Sequence, residues 1–129
     1  MATYHFSKTL DLPFEAALDA TREALGQEGF GVITEIDLRA TFKAKLGEDF
    51  RAYTILGACN PKLAFEALGL EDKVGAMLPC NVVVQDAGGG RAEVSAIDPV
   101  ASMQAIDNPA LKDKAAVVAG KLKAAVDRL

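Results

Sequence analysis

Tryptophan is absent from this chain, and histidine occurs once and cysteine twice among 129 residues. Two cysteines are too few for a disulfide scaffold, and with one histidine they do not close a zinc site within one chain. Aromatic residues make up only 6%, so the core must be built from aliphatic and small side chains. No apolar run approaches the roughly 18 residues that a membrane-crossing helix needs. The opening MATYHFSKTLDLPF has no apolar stretch of the secretory type. A basic excess is missing too. Acids outnumber bases by 18 to 14, giving a net charge of −4, whereas a nucleic-acid-binding domain ordinarily leans the other way. Pro-rich or Ser-rich linkers and solenoid repeats are also lacking. These absences lead to the expectation of one domain over residues 1–129, located in the cytoplasm, with no membrane and no nucleic-acid partner.

Alanine is plentiful, with 23 residues. Charge is unevenly spread: residues 11–37 hold seven acids and one base, and residues 110–129 hold five bases and two acids. In residues 3–10, Tyr4, Phe6, Lys8 and Leu10 alternate with His5, Ser7 and Thr9, which is the period of a strand. A helix is predicted over 13–28. Asp11 is available as a cap, Pro13 suits the first turn, and Phe14, Ala17, Leu18, Thr21, Ala24 and Leu25 share one face. Gly29 is a suitable stop.

Val32 to Ile36 reads as a strand. Asp37 then caps a short helix through Leu46, with Leu38, Phe42 and Leu46 turned inward and Gly47 as its end. Phe50 to Cys59 is the next strand, followed by Asn60 as cap, Pro61 as first-turn residue, a helix over 61–68 and a stop at Gly69. A short helical turn is expected at 71–76, with Met77 and Leu78 in the core. The segments 80–86 and 91–97 read as a hairpin joined by a four-residue connection at 87–90. The consecutive Val82, Val83 and Val84 suggest burial on both faces. Residues 108–129 form the second long helix, with a stripe of Leu111, Ala115, Val118, Leu122, Ala125 and Leu129.

This order predicts an α+β fold. It is a two-layer sandwich in which a mostly antiparallel sheet carries the two long helices on one face. The other face needs a cover if the valine run is to stay dry. A second copy of the chain would provide it, and so would an Ala-rich helix surface.

Chemistry-bearing residues concentrate in two short segments, GACNP at 57–61 and PCNVVV at 79–84. Each holds a cysteine followed by asparagine. Cys59 stands where a strand gives way to a helix, and amide donors at that helix N-terminus would favour its thiolate. Cys80 opens a strand. If strands 50–59 and 80–86 are antiparallel neighbours, the two sulfurs lie at the same end of the sheet, which is the arrangement expected here. Thiols so placed serve as nucleophiles, redox pairs or soft-metal ligands. Equally, free cysteine is a common core residue, Asn60 is accounted for as a cap, and Asn81 is accounted for at a strand entry. Glu35 and Asp37 fall on the same side of a strand end, and Asp98 precedes Pro99. Acid–base or metal chemistry would use such carboxylates, and helix capping or turn formation would explain Asp37 and Asp98 without it. His5 lacks any supporting motif.

Beyond these patterns, the chain resembles the "domain of unknown function 302" family of bacteria and archaea. The segments GFGVITEID at 29–37, YTILGACNPKLAFEAL at 53–68, LPCNVVV at 78–84 and SAIDP at 95–99 carry the resemblance. It implies a compact α+β fold and a homodimer, and it supplies no reaction. Cys59, Asn60, Cys80, Asn81 and Asp98 stand inside these segments.

Three functions remain open at this level. The first is a homodimeric binding protein that holds a small molecule, a soft metal, a haem or a sulfur species near Cys59 and Cys80. The second is a thiol-dependent redox or sulfur-transfer enzyme with Cys59 as nucleophile and Cys80 as resolving thiol. The third is a structural or interaction subunit. The chain lacks a general base, a nucleotide-binding motif and a full metal-ligand set, which favours binding over catalysis. Neither a cofactor nor a catalytic residue is specified. The site candidates are Cys59, Asn60, Cys80, Asn81, Asp98 and Glu35, and any metal would fall to Cys59 and Cys80.

Overall fold

Five strands form one antiparallel sheet in the order β1-β5-β4-β3-β2. They are β1 (His5–Leu10), β2 (Gly31–Asp37), β3 (Tyr53–Cys59), β4 (Cys80–Gly88) and β5 (Arg91–Ile97). The helices are α1 (Phe14–Gln27), α2 (Leu38–Leu46), α3 (Pro61–Leu70), α4 (Pro99–Ser102) and α5 (Pro109–Asp127), with a 3₁₀ helix at Asp72–Met77. This computed structural model describes residues 3–129. The α+β sandwich is as expected, and the sheet is antiparallel throughout.

Helices α1 and α5 cover one face. Ala17, Leu18, Thr21, Ala24 and Leu25 of α1 are buried, and so are Leu111, Ala115, Leu122 and Ala125 of α5. Beneath them lie Leu56, Val82, Val84, Val94 and Ala96. The buried Thr21 hydroxyl donates to the Ala17 carbonyl at 2.7 Å, so no polar group is stranded in this layer. A second apolar cluster of Ala67, Val74, Met103, Leu111 and Ala115 joins α3, the 3₁₀ helix and the first half of α5. Two arginine contacts from Arg128, to Glu28 and Gln27, fasten the end of α5 to α1.

The opposite sheet face stays open along its middle. Register sets Ile36, Ile55, Val83, Ser95 and Ser7 in one row across all five strands. Val82 and Val84 are fully buried, but Val83 between them is only half-buried. Strand alternation explains this, because one residue of a consecutive trio must face the uncovered side. Within the single chain the valine run is therefore buried on one face.

Local differences from the sequence reading have local causes. Helix α1 starts at Phe14, and Pro13 occupies the cap position without a side-chain cap, so Asp11 plays no such part. Helix α2 is capped by Asp37 as expected, yet none of its residues is buried and Leu46 is 67% exposed. It packs through Phe42 on an aromatic corner made with Phe50 and Tyr53. Arg51 stacks over Phe50 at 4.4 Å, so 50–52 serve this corner and β3 begins at Tyr53. Helix α3 runs through Gly69 to Leu70. Met77 is 40% exposed, which takes it out of the core. Strand β4 extends to Gly88, and Gly89 and Gly90, with φ of 64° and 75°, make a two-residue turn where four residues were expected. That pair of positive φ angles is what a twist-matched hairpin turn requires.

Candidate functional site

At one end of the sheet, β3 leaves and β4 enters. Ala58 sits opposite Cys80 in the ladder, and Cys59 follows one step on. Both cysteines are free, with Cys59 half-buried and Cys80 buried. They border one cavity of about 370 Å³, within the size range of small-molecule sites. The cavity occupies the seam between the two apolar clusters. Ala58 and Cys80 belong to the first, and Ala67, Met103 and Leu111 to the second. Exposed Ile33 and Leu68 stand at its rim, so it reaches solvent there.

The local sequence builds this seam. Gly57, two residues before Cys59, is buried between Thr34 and Pro79, and a Cβ at Gly57 would lie 2.7 Å from Pro79 Cγ. Pro79 is thereby pressed against β3, and Cys80 enters the sheet beside Ala58. Asn60 caps α3 by accepting the Leu63 amide at 3.2 Å, which swings α3 away from the strand axis to form a cavity wall. Asn108 caps α5, and its amide donates to the Leu70 carbonyl at 2.9 Å, tying the end of α3 to the start of α5.

Of the six candidates, three come together and three do not. Cys59, Asn60 and Cys80 line the cavity. Asn81 is exposed and shares the open face with Gly57, its ladder partner. Asp98 caps α4, accepting the Val100 amide at 3.0 Å, and only its neighbour Pro99 reaches the cavity. Glu35 pairs with Arg22 of α1 at 2.7 Å, away from the cysteines. Asp37 is committed to its cap, and the His5 ring bonds the Ser7 hydroxyl at 2.6 Å. Among the described residues, no group of three or more His, Cys, Asp or Glu side chains converges as a metal site. Within one chain, a metal would therefore rest on the two sulfurs.

Sequence reasoning missed Lys114, the one charged side chain lining the cavity among the described residues. The signal was present. Lys114 lies three residues after Leu111 and four before Val118, on the apolar stripe of α5.

Burial, and secondarily the Cys59 charge, pushes the Cys80 thiol up from 9.0 to about 11. Cys80 is therefore a protonated thiol at neutral pH. Its unfolded-state value lies below its folded value, so the associated stabilisation is present below pH 9 and is lost as pH rises towards 11. Two results are expected. Native protein treated with iodoacetamide at neutral pH gains one adduct, mapped by mass spectrometry to Cys59, with Cys80 labelled only on unfolding. Between pH 9 and 11, Cys80→Ala should show a flatter loss of stability than the parent in urea titrations. Fast double labelling at neutral pH would contradict the buried placement of Cys80.

The model of the family "Domain of unknown function DUF302" matches residues 6–129. A solved structure of an uncharacterized conserved protein DUF302 from Bacillus stearothermophilus is 31% identical, with a TM-score of 0.90 over 98% of each chain. No curated protein matches.

Proposed function

This chain belongs to the DUF302 family, and from its cavity we propose that it is a cytoplasmic small-ligand-binding protein that holds an apolar molecule against Cys59 and Cys80. The observation that carries this reading is the cavity itself. Some 370 Å³ of space lined almost wholly by carbon lies between two core clusters and opens at Ile33 and Leu68. A close-packed domain closes such seams unless something fills them. Helix α3 contributes a single buried residue, Ala67, so one wall of the cavity is lightly anchored and able to admit a guest. Among the described residues no helix is long and apolar enough to cross a membrane.

Catalysis by a thiol pair fits less well. Cys80 holds its proton, and the two cysteines are one residue out of register on neighbouring strands, which is poor geometry for a bridge. A soft metal or a sulfur species at the two sulfurs remains a narrower version of the same binding reading.

The test uses N-phenyl-1-naphthylamine, a neutral probe that fluoresces in apolar surroundings. Saturable fluorescence at one probe per chain is expected. In Ala64→Phe, which fills the cavity from the α3 wall, probe binding should vanish while the melting temperature holds. Absence of saturable binding to the parent, or unchanged binding to the filled variant, would sink the reading.

A homodimer is the second part of the proposal. The half-buried row of Ile55 and Val83, with Ile36 47% exposed beside it, supports it. Light scattering should give twice the chain mass, and Val83→Lys should return it to a monomer. A parent that is monomeric at all concentrations would remove this part alone.

A further inference from the structure

We infer that the cavity ligand is an amphiphile whose polar end is a hydrogen-bond acceptor carrying negative charge, a carboxylate or its equivalent, held by Lys114. This rests on the binding reading above and names its ligand class. The polar side chains bordering the cavity are few, and they are donors. Asn60 spends its carbonyl oxygen on the Leu63 amide at 3.2 Å, and that bond fixes which way round the side-chain amide sits. Its NH₂ group then points the other way, and since no buried side-chain nitrogen among the described residues is left without a partner, it meets solvent. It lies over Gly29, where even a Cβ would come within 3.0 Å of the amide nitrogen. The Cys80 thiol keeps its proton and is a weak donor.

Lys114 supplies the charge. Its ammonium meets Glu66 at 3.3 Å, with both side chains about one-third exposed. An ion pair so open to water is weakly held, so the ammonium is able to re-aim into the cavity with two of its three donors still to place. Lys114 borders the cavity and Glu66 does not. No carboxylate lines the cavity among the described residues, so a cationic head would meet Lys114 with no counter-charge in the lining. An apolar tail in the seam with an acceptor head towards Lys114 matches this lining.

Isothermal titration calorimetry with octanoate, octanol and octylamine tests this on the intact protein. All three bring the same tail. Octanoate is expected to bind at least about tenfold more tightly than octanol, since a charge-assisted hydrogen bond is worth more than a neutral one, and octylamine more weakly than either. In Lys114→Met, which keeps the apolar stem, the advantage of octanoate over octanol should disappear. In Lys114→Arg it should persist. Equal binding of all three ligands, or an advantage that survives Lys114→Met, would overturn the acceptor-headed ligand and leave the cavity reading standing. If none of the three binds while the naphthylamine probe does, the acceptor-headed ligand falls alone; if the probe fails too, both fall.

Discussion

Replacing Leu122 by alanine is expected to lower the unfolding free energy by about 3 kcal/mol, with a drop in melting temperature on the order of 10 °C. Leu122 is completely buried in α5, within the cluster that joins α1, α5 and the sheet. Alanine is the better helix former, so the backbone of α5 gains slightly from the change. The whole loss, and a little more, must then come from packing. The removed methyls leave a void that Leu25, Val82 and Val94 cannot fill without shifting, since all three are held in close-packed positions themselves. Leu46→Ala is the paired control. Periodicity places Leu46 on the inward face of α2, whereas in the fold it is 67% exposed, so that change should move stability by no more than about 0.5 kcal/mol. Urea titrations of the two variants therefore separate the three-dimensional answer from the pattern-based one. Similar losses for both would mean that α2 packs more deeply than described.

The contrast between these two leucines shows how far a single sequence carries. Helices α1 and α5 are long, and their stripes repeat over several turns. Period and burial therefore agree in both, and Asn108 and Pro109 mark the start of α5 without ambiguity. Helix α2 spans only nine residues. Over so short a span, one apolar residue placed at the right interval is no proof of a neighbour to pack on. The Val82–Val84 run misleads for a related reason. Composition shows that three side chains are apolar, and it cannot show that one sheet face lacks a second layer. At Asp98 and Pro99 the sequence predicts a turn where the fold has the short α4, because an aspartate that accepts an amide two residues on serves a turn and a helix start alike.

The candidate site divides along the same line. Cys59, Asn60 and Cys80 were legible because each stands at an element boundary within a distinctive segment. Their placement at one end of the sheet followed once the strands were taken as antiparallel neighbours. What the chain order could not show is which face each neighbour takes. Asn81 adjoins Cys80 in sequence yet faces the open side, because successive strand residues point oppositely. The cavity itself was invisible. It arises where two apolar clusters fail to merge, and that is a property of how α3 and α5 meet, 39 or more residues apart in the chain. Lys114 sits on that boundary, so its charge reads as surface in composition and as site in space.

Gly57→Ala should cost about 2–3 kcal/mol, although the backbone at Gly57 is ordinary for any residue and φ is not positive there. Space is what is lacking. The added Cβ would lie 2.0 Å from Thr34 Oγ1 and 2.7 Å from Pro79 Cγ. The Thr34 hydroxyl can rotate away, but the proline ring has no such freedom, so the strain passes along the chain to Pro79. Two further outcomes follow from that asymmetry. Combining Gly57→Ala with Thr34→Ala should recover part of the loss and leave the remainder that Pro79 imposes, which a double-mutant cycle measures directly. Because Pro79 precedes Cys80 and lines the cavity, the single variant should also weaken probe binding and let iodoacetamide reach Cys80 in the native state. A structural glycine remote from the cavity would show the first loss without the other two. All three together would mean that the tight passage at Gly57 sets the position of Cys80. A Gly57→Ala protein as stable as the parent would show instead that Pro79 yields without cost, and that the cavity end of the sheet is softer than its packing implies.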